Sequence, residues 1–242
     1  MPGAADDVTL KQLLEVQAED SEIQKLTQRR AALPEAARLA EANAQLEELD
    51  ADLTIARKQL EEITREQNRL EGEIELLGQK TSREEGRLFS GGVSNPKELS
   101  ALQAEVEGLK RRSAALEDDL LEVMVHRDSS SETVQSLAGE RAAASGRAEE
   151  LVTKVAALTG EIEAALERHS ARRDELAATI PADLLTLYER LRDSKQGIGA
   201  AALIGNTCQG CHTSLPSREV EHLRAEKGLQ RCDNCRRILV VG

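Results

Sequence analysis

The chain has 242 residues, a formal net charge of −12 and 31% charged side chains, but no Trp, one Tyr (Tyr188) and one Phe (Phe89). Aromatic rings supply much of the buried area of compact cores, so this composition argues against an ordinary globular core and fits long helix or coiled coil. A uniformly acidic surface would repel nucleic acid and anionic membrane, no basic-then-apolar leader is visible, and no run of about 18 apolar residues could span a bilayer, so the expected location is the cytoplasm.

Residues Met1–Asp7 read as a frayed start, and a first helix is expected from Val8 to about Ala32. Pro34 lacks a backbone donor and crowds the preceding turn, so the helix should kink or restart there. From Glu35 to about Leu88, the residues Leu46, Leu49, Leu53, Ala56, Leu60, Ile63, Gln67, Leu70, Ile74 and Leu77 recur in alternating steps of three and four. That spacing draws one apolar stripe along a helix, the seam of a coiled coil. Gly91-Gly92 sustains a helix poorly, and Pro96 biases Asn95 away from helical angles, so the chain turns back between the two.

A second arm is predicted from Pro96 to about Thr179, its seam running Leu99, Leu102, Val106, Leu109, Ser113, Leu116, Leu120, Val123, then Arg127, Ser130, Val134, Leu137, Arg141 and on through His169 and Arg172 to Leu176. Arg127, Ser130 and Arg141 weaken the middle, and Gly139 and Gly146 lie near it; bending or local opening is expected there. The two stripes predict an antiparallel hairpin that satisfies its own seam, hence a monomer. Pro181 ends the arm, a short amphipathic helix follows to about Asp193 with Tyr188 anchoring it to the base of the hairpin, and Gly197 and Gly199 mark a break. The predicted organisation is a hairpin over residues 1–180 with its tip at about 89–96, a short helix and linker over 181–199, and a separate module over 200–242.

That last module holds every cysteine, in Cys208-x-x-Cys211 and Cys232-x-x-Cys235. Two such pairs separated by about 20 residues match a structural tetrathiolate zinc site: each pair is a turn presenting two thiolates, and two turns close a tetrahedron with no open position for water. One structural Zn2+ is therefore expected on Cys208, Cys211, Cys232 and Cys235. Flanking apolar runs (Ala201–Ile204 and Ile238–Val241) read as strands, and Ser217 to about Glu226 as a short helix with Ser217 as N-cap. Competing readings are a c-type haem attachment at Cys208-x-x-Cys211-His212, a thioredoxin-like redox couple, and His212 as a substitute ligand. The first two lack an apolar haem pocket and a surrounding strand–helix alternation.

Six basic against four acidic side chains give residues 201–242 a charge of +2 and leave −14 on the rest. Arg218, Lys227, Arg231, Arg236 and Arg237 are the candidate phosphate contacts, although a zinc tetrathiolate contributes −2 and cancels the module's excess. At the turn, Phe89, Asn95, Pro96 and Lys97 are candidate docking residues for a protein partner; the bland reading is that Phe89 caps the hairpin's own end. No nucleophile–base pair, phosphate loop or paired catalytic carboxylate stands out, and the chain reads as a non-enzyme: mainly α, a long antiparallel coiled-coil hairpin with a small β-rich zinc ribbon. The alternative to a nucleic-acid-binding adaptor is a purely structural protein–protein scaffold.

Leu88-Phe89-Ser90-Gly91 with Asn95-Pro96-Lys97-Glu98-Leu99, Leu187-Tyr188-Glu189-Arg190-Leu191-Arg192, and the two cysteine pairs followed by Arg236-Arg237-Ile238-Leu239 carry a resemblance. The chain resembles the bacterial proteins with a C4-type zinc ribbon behind a long coiled-coil hairpin, the flagellar-regulator-like zinc ribbon proteins. Arg236 stands where such relatives often carry Gly. Members in flagellated bacteria imply an adaptor of transcription regulation that binds an alternative sigma factor and a flagellin messenger RNA.

Overall fold

A computed structural model describes residues 7–226 and 228–241. It contains five helices and four strands among the described residues: α1 Asp7–Ala31, α2 Pro34–Phe89, α3 Pro96–Ala177, α4 Ala182–Ser194, β1 Ala200–Ile204, β2 Thr207–Cys208, α5 Ser217–Ala225, β3 Gln230–Arg231 and β4 Ile238–Val241. Pro34 restarts the helix rather than bending it: Ala32 still donates to Gln28, and α2 opens with the proline in its first turn, where its missing N–H costs nothing. The chain divides into two compact units, residues 38–150 and a second one made of residues up to Ala37 together with those from Leu151 onward.

In the first unit α2 and α3 run antiparallel. Asp50 meets Arg141, Gln67 meets Arg127 and Glu85 meets Lys110, so rising numbers on one arm face falling numbers on the other. Leu49, Leu53, Ala56 and Leu70 from α2 and Leu102, Val106, Ala144 and Ala148 from α3 are buried along the seam. The weak middle is not left empty. Arg141 donates to Asp50 at 2.8 Å, and Arg127 donates across to the side-chain oxygen Oε1 of the buried Gln67 at 3.3 Å while α3 stays helical through Gly139 and Gly146. At the turn, Ser90 Oγ donates to the Arg87 carbonyl, Gly91 takes a positive φ of 73°, and Asn95 Oδ1 accepts from the Lys97 N–H, capping α3 with Pro96 in its first position.

In the second unit α1 packs on the end of α3, with Glu19 on His169 at 2.6 Å and Arg30 on Glu163 at 3.8 Å. The three-four step slips here: Arg172 faces solvent and Arg173 turns inward, because Arg173 reaches Asp20 of α1 and Glu189 of α4. Tyr188 is fully buried and donates to Asp20 Oδ2 at 2.7 Å, and Arg192 holds the other oxygen of Asp20 at 2.6 Å. The four strands form one sheet in the order β2-β1-β4-β3, with β1 and β4 parallel and both outer pairs antiparallel. Ile238 and Val240 of β4 point into a core with Leu10, Leu13 and Val16 of α1 and Tyr188 and Leu191 of α4; Leu239 between them points into a second core with Leu203, Leu215, Val220 and Leu223. Alternation along the strand thus buries the sheet on both faces, which explains the uninterrupted Ile-Leu-Val-Val run. Ser217 is the first helical residue of α5 and not its cap; the preceding Pro216 takes that place without a side-chain bond, and Ser217 Oγ accepts from Asn206 instead.

Candidate metal centre

The two cysteine turns are built alike. β1 turns through Gly205 into β2, which delivers Cys208; there the Cys208 N–H donates to the Thr213 carbonyl and the His212 N–H to the Cys208 carbonyl. β3 delivers Cys232 in the same way; the Cys232 N–H donates to the Arg237 carbonyl and the Arg236 N–H to the Cys232 carbonyl. In each turn the residue after the second cysteine is left-handed, His212 at φ 57° and Arg236 at φ 64°. This repeat brings all four Sγ atoms within 4.8 Å of one another, with Cys208–Cys235 at 4.0 Å and Cys211–Cys232 at 3.9 Å across the turns. A zinc tetrahedron with Zn–S near 2.3 Å has an edge of about 3.8 Å, so the donor set fits one structural Zn2+ with all positions filled by protein. No histidine belongs to this group, which removes His212 as a substitute ligand.

Cys208 and Cys232 are fully buried, whereas Cys211 and Cys235 are half-exposed at the rim. Burial pushes the Cys208 thiol up and the Cys232 thiol up to about 12. Burial acts against the thiolate at Cys211 too, but hydrogen bonds from Thr213 and Asn234 outweigh it and hold that thiol down at about 6. Asn234 Nδ2 lies 3.6 Å from Cys211 Sγ and donates to Thr213 Oγ1 at 2.8 Å, tying the second turn to the first. Such outer partners orient metal ligands. Nothing in the spacing of Asn234 flags this, since it sits inside the second Cys-x-x-Cys and bonds to the first.

The predicted phosphate contacts separate. Arg218 is exposed on α5, and Arg231 and Arg236 are exposed on either side of the second turn, Arg236 lying 3.5 Å from Asp233. Arg237 is engaged elsewhere: Nε donates to the Ile198 carbonyl and Nη2 to the Lys195 carbonyl, both at 2.8 Å. Lys227 lies outside the described residues. Of the turn residues, Phe89 is 81% exposed and Lys97 is exposed with no ion pair among the described residues, while Asn95 and Pro96 start α3. His222, which has no partner pattern in the sequence, lies 3.1 Å from Glu226.

A two-helix hairpin leading to a four-cysteine ribbon defines a class of protein, and comparison places the chain within it. It belongs to the family with a CT398-like coiled coil hairpin domain, matched over residues 16–196, followed by a C4-type zinc ribbon domain over residues 207–239. Rv2229c of Mycobacterium tuberculosis is 35% identical over 162 residues, 63% of each chain. The chain thus spans less than two thirds of the curated relatives it matches. A solved Mycobacterium smegmatis structure superposes with a TM-score of 0.84 at 27% identity, covering 99% of this chain and 100% of that one. CT398 from Chlamydia trachomatis shares the fold, with a TM-score of 0.64 at 21% identity over 97% of this chain and 98% of its own.

Proposed function

We propose that the protein is a non-enzymatic, cytoplasmic, monomeric adaptor whose Cys208, Cys211, Cys232 and Cys235 hold one structural zinc, whose ribbon contacts RNA or DNA, and whose hairpin recruits a protein. The observation that carries the reading is the closed four-sulfur site: an ion with four protein ligands keeps no position for substrate or water, so it serves shape and not chemistry. Arg231 and Arg236, exposed beside the second turn, and Arg218 on α5 supply the nucleic-acid contacts; Arg237 drops out because its guanidinium is already engaged by backbone carbonyls. Phe89 and Lys97 at the turn supply the protein contact. The resemblance points to a sigma factor or another transcription factor as that partner.

Fluorescence anisotropy with labelled RNA and DNA at low and moderate salt tests the ribbon. Binding should weaken steeply with salt, and the double variant Arg231→Ala/Arg236→Ala should lower the salt slope by about 2, one for each phosphate no longer neutralised. Absent or salt-independent binding would favour the scaffold reading, which the acidic net charge of −12 and the internal use of Arg224 and Arg237 support.

A further inference from the structure

The sheet that carries the cysteine turns is also a wall of the helical core beside it. Ala200, Ile238 and Val240 from the sheet are buried with Leu10, Leu13 and Val16 of α1 and with Leu184, Tyr188 and Leu191 of α4. Two polar side chains fasten that wall. Gln17 of α1 is buried and fully used: its Oε1 accepts from the Gly199 N–H at 2.7 Å and the Ala200 N–H at 3.3 Å, and its Nε2 donates to the Gly197 carbonyl at 3.0 Å. Arg237 reaches from the second cysteine turn to the carbonyls of Lys195 and Ile198, where α4 leads into β1. Its Cδ also lies against Gly210 of the first turn, so closely that a Cβ on Gly210 would come within 2.8 Å of it. One arginine therefore joins both cysteine turns to the exit of α4.

We infer that zinc occupancy governs the packing of α1 and α4 as well as the fold of the ribbon, with Arg237 and Gln17 as the two positioning residues of the coupling. This rests on the zinc reading above and adds a regulated element to it. A ribbon of about 40 residues lacks a core large enough to hold its sheet without metal. When the ion leaves, the turn that sets Arg237 is no longer fixed, β1 and β4 lose their register, and the apolar side of α1 loses its cover. Linkage makes the coupling reciprocal: the factor by which zinc strengthens the clasp at Gln17 is the factor by which the clasp strengthens zinc binding, although Gln17 touches no cysteine.

The test uses the full chain and zinc itself, titrated against a chromophoric chelator, with hydrogen exchange on the loaded and stripped protein. Gln17→Ala and, separately, Arg237→Gln should each weaken zinc binding by about tenfold, while Leu53→Ala, in the other unit, should leave it unchanged. Stripping zinc from the unaltered chain should release amide protection across residues 10–24 and 184–192 and spare that of residues 49–70. Zinc affinity unchanged in both variants would overturn the coupling, as would full protection of α1 in the stripped chain. Gln17→Ala failing to fold leaves the decision to Arg237→Gln and to exchange on the unaltered chain. A purified chain that holds no zinc at all would overturn the zinc reading and the coupling with it, whereas zinc bound with no linkage would overturn the coupling alone.

Discussion

Arg236 and His212 occupy equivalent left-handed positions, one per cysteine turn, at φ 64° and 57°. A side chain there crowds the following carbonyl by about 1–2 kcal/mol, and glycine escapes that cost while adding unfolded-state freedom of about 0.4–1 kcal/mol. Arg236→Gly should therefore raise the stability of the zinc-loaded chain by up to about 1 kcal/mol, read as the midpoint of denaturant unfolding; a decrease would show that the Arg236 side chain holds the turn. Tyr188 carries a second prediction. Burial, and then its bond to Asp20, push its phenol well above the usual tyrosine range. A raised folded-state pKa means that the stabilisation is complete below the unfolded value near 10 and is lost as pH rises past it. The base around Tyr188 should thus loosen from about pH 10 upward, and Tyr188→Phe should flatten that alkaline decline, as tested by far-ultraviolet dichroism across pH. The cysteine ligands are legible because their spacing is local and the lone tyrosine because it is lone. Gln17, Asp20 and Arg237 are not: their partners in other elements lie 39–183 residues away, and an arginine serving carbonyls reads in sequence like one awaiting phosphate.

Among the elements, the seam repeat foretells α2 and α3 to within a few residues, because a heptad stripe encodes both the buried face and its partner. It does not foretell that the polar seam residues answer one another across the arms, since that depends on the register set by the turn at Gly91. Gln67 with Arg127 is the informative pair, Gln67 being buried and meeting Arg127 at 3.3 Å. A polar pair at a seam fixes register while lowering stability relative to apolar packing. The double variant Gln67→Leu/Arg127→Leu should therefore stabilise residues 38–150 by about 2 kcal/mol in denaturant unfolding. It should also broaden the distribution of distances between spin labels placed on the two arms. A destabilised double variant would assign the pair a net stabilising role instead. The exposed Asp50–Arg141 pair should show only a small coupling in a double-mutant cycle, and that coupling should vanish at high salt.

For the molecule as a whole, the metal is the one strong lever, and its action must depend on pH. Cys208 and Cys232 hold their protons at neutral pH because burial disfavours the thiolates, whereas Cys211 is already ionised, its hydrogen bonds from Thr213 and Asn234 outweighing burial. Zinc binds thiolates, so at pH 7 it must displace the protons of at least two sulfurs, and protons compete with the ion. Affinity therefore rises with pH while those thiols remain protonated in the free protein, with a slope of at least about 2 in log K per pH unit. Calorimetric titration of the stripped chain in two buffers of different ionisation enthalpy should report a release of two or more protons. Release below one would mean that the buried thiols are ionised before the metal arrives, and that the pocket around Cys208 and Cys232 is more polar than its full burial implies.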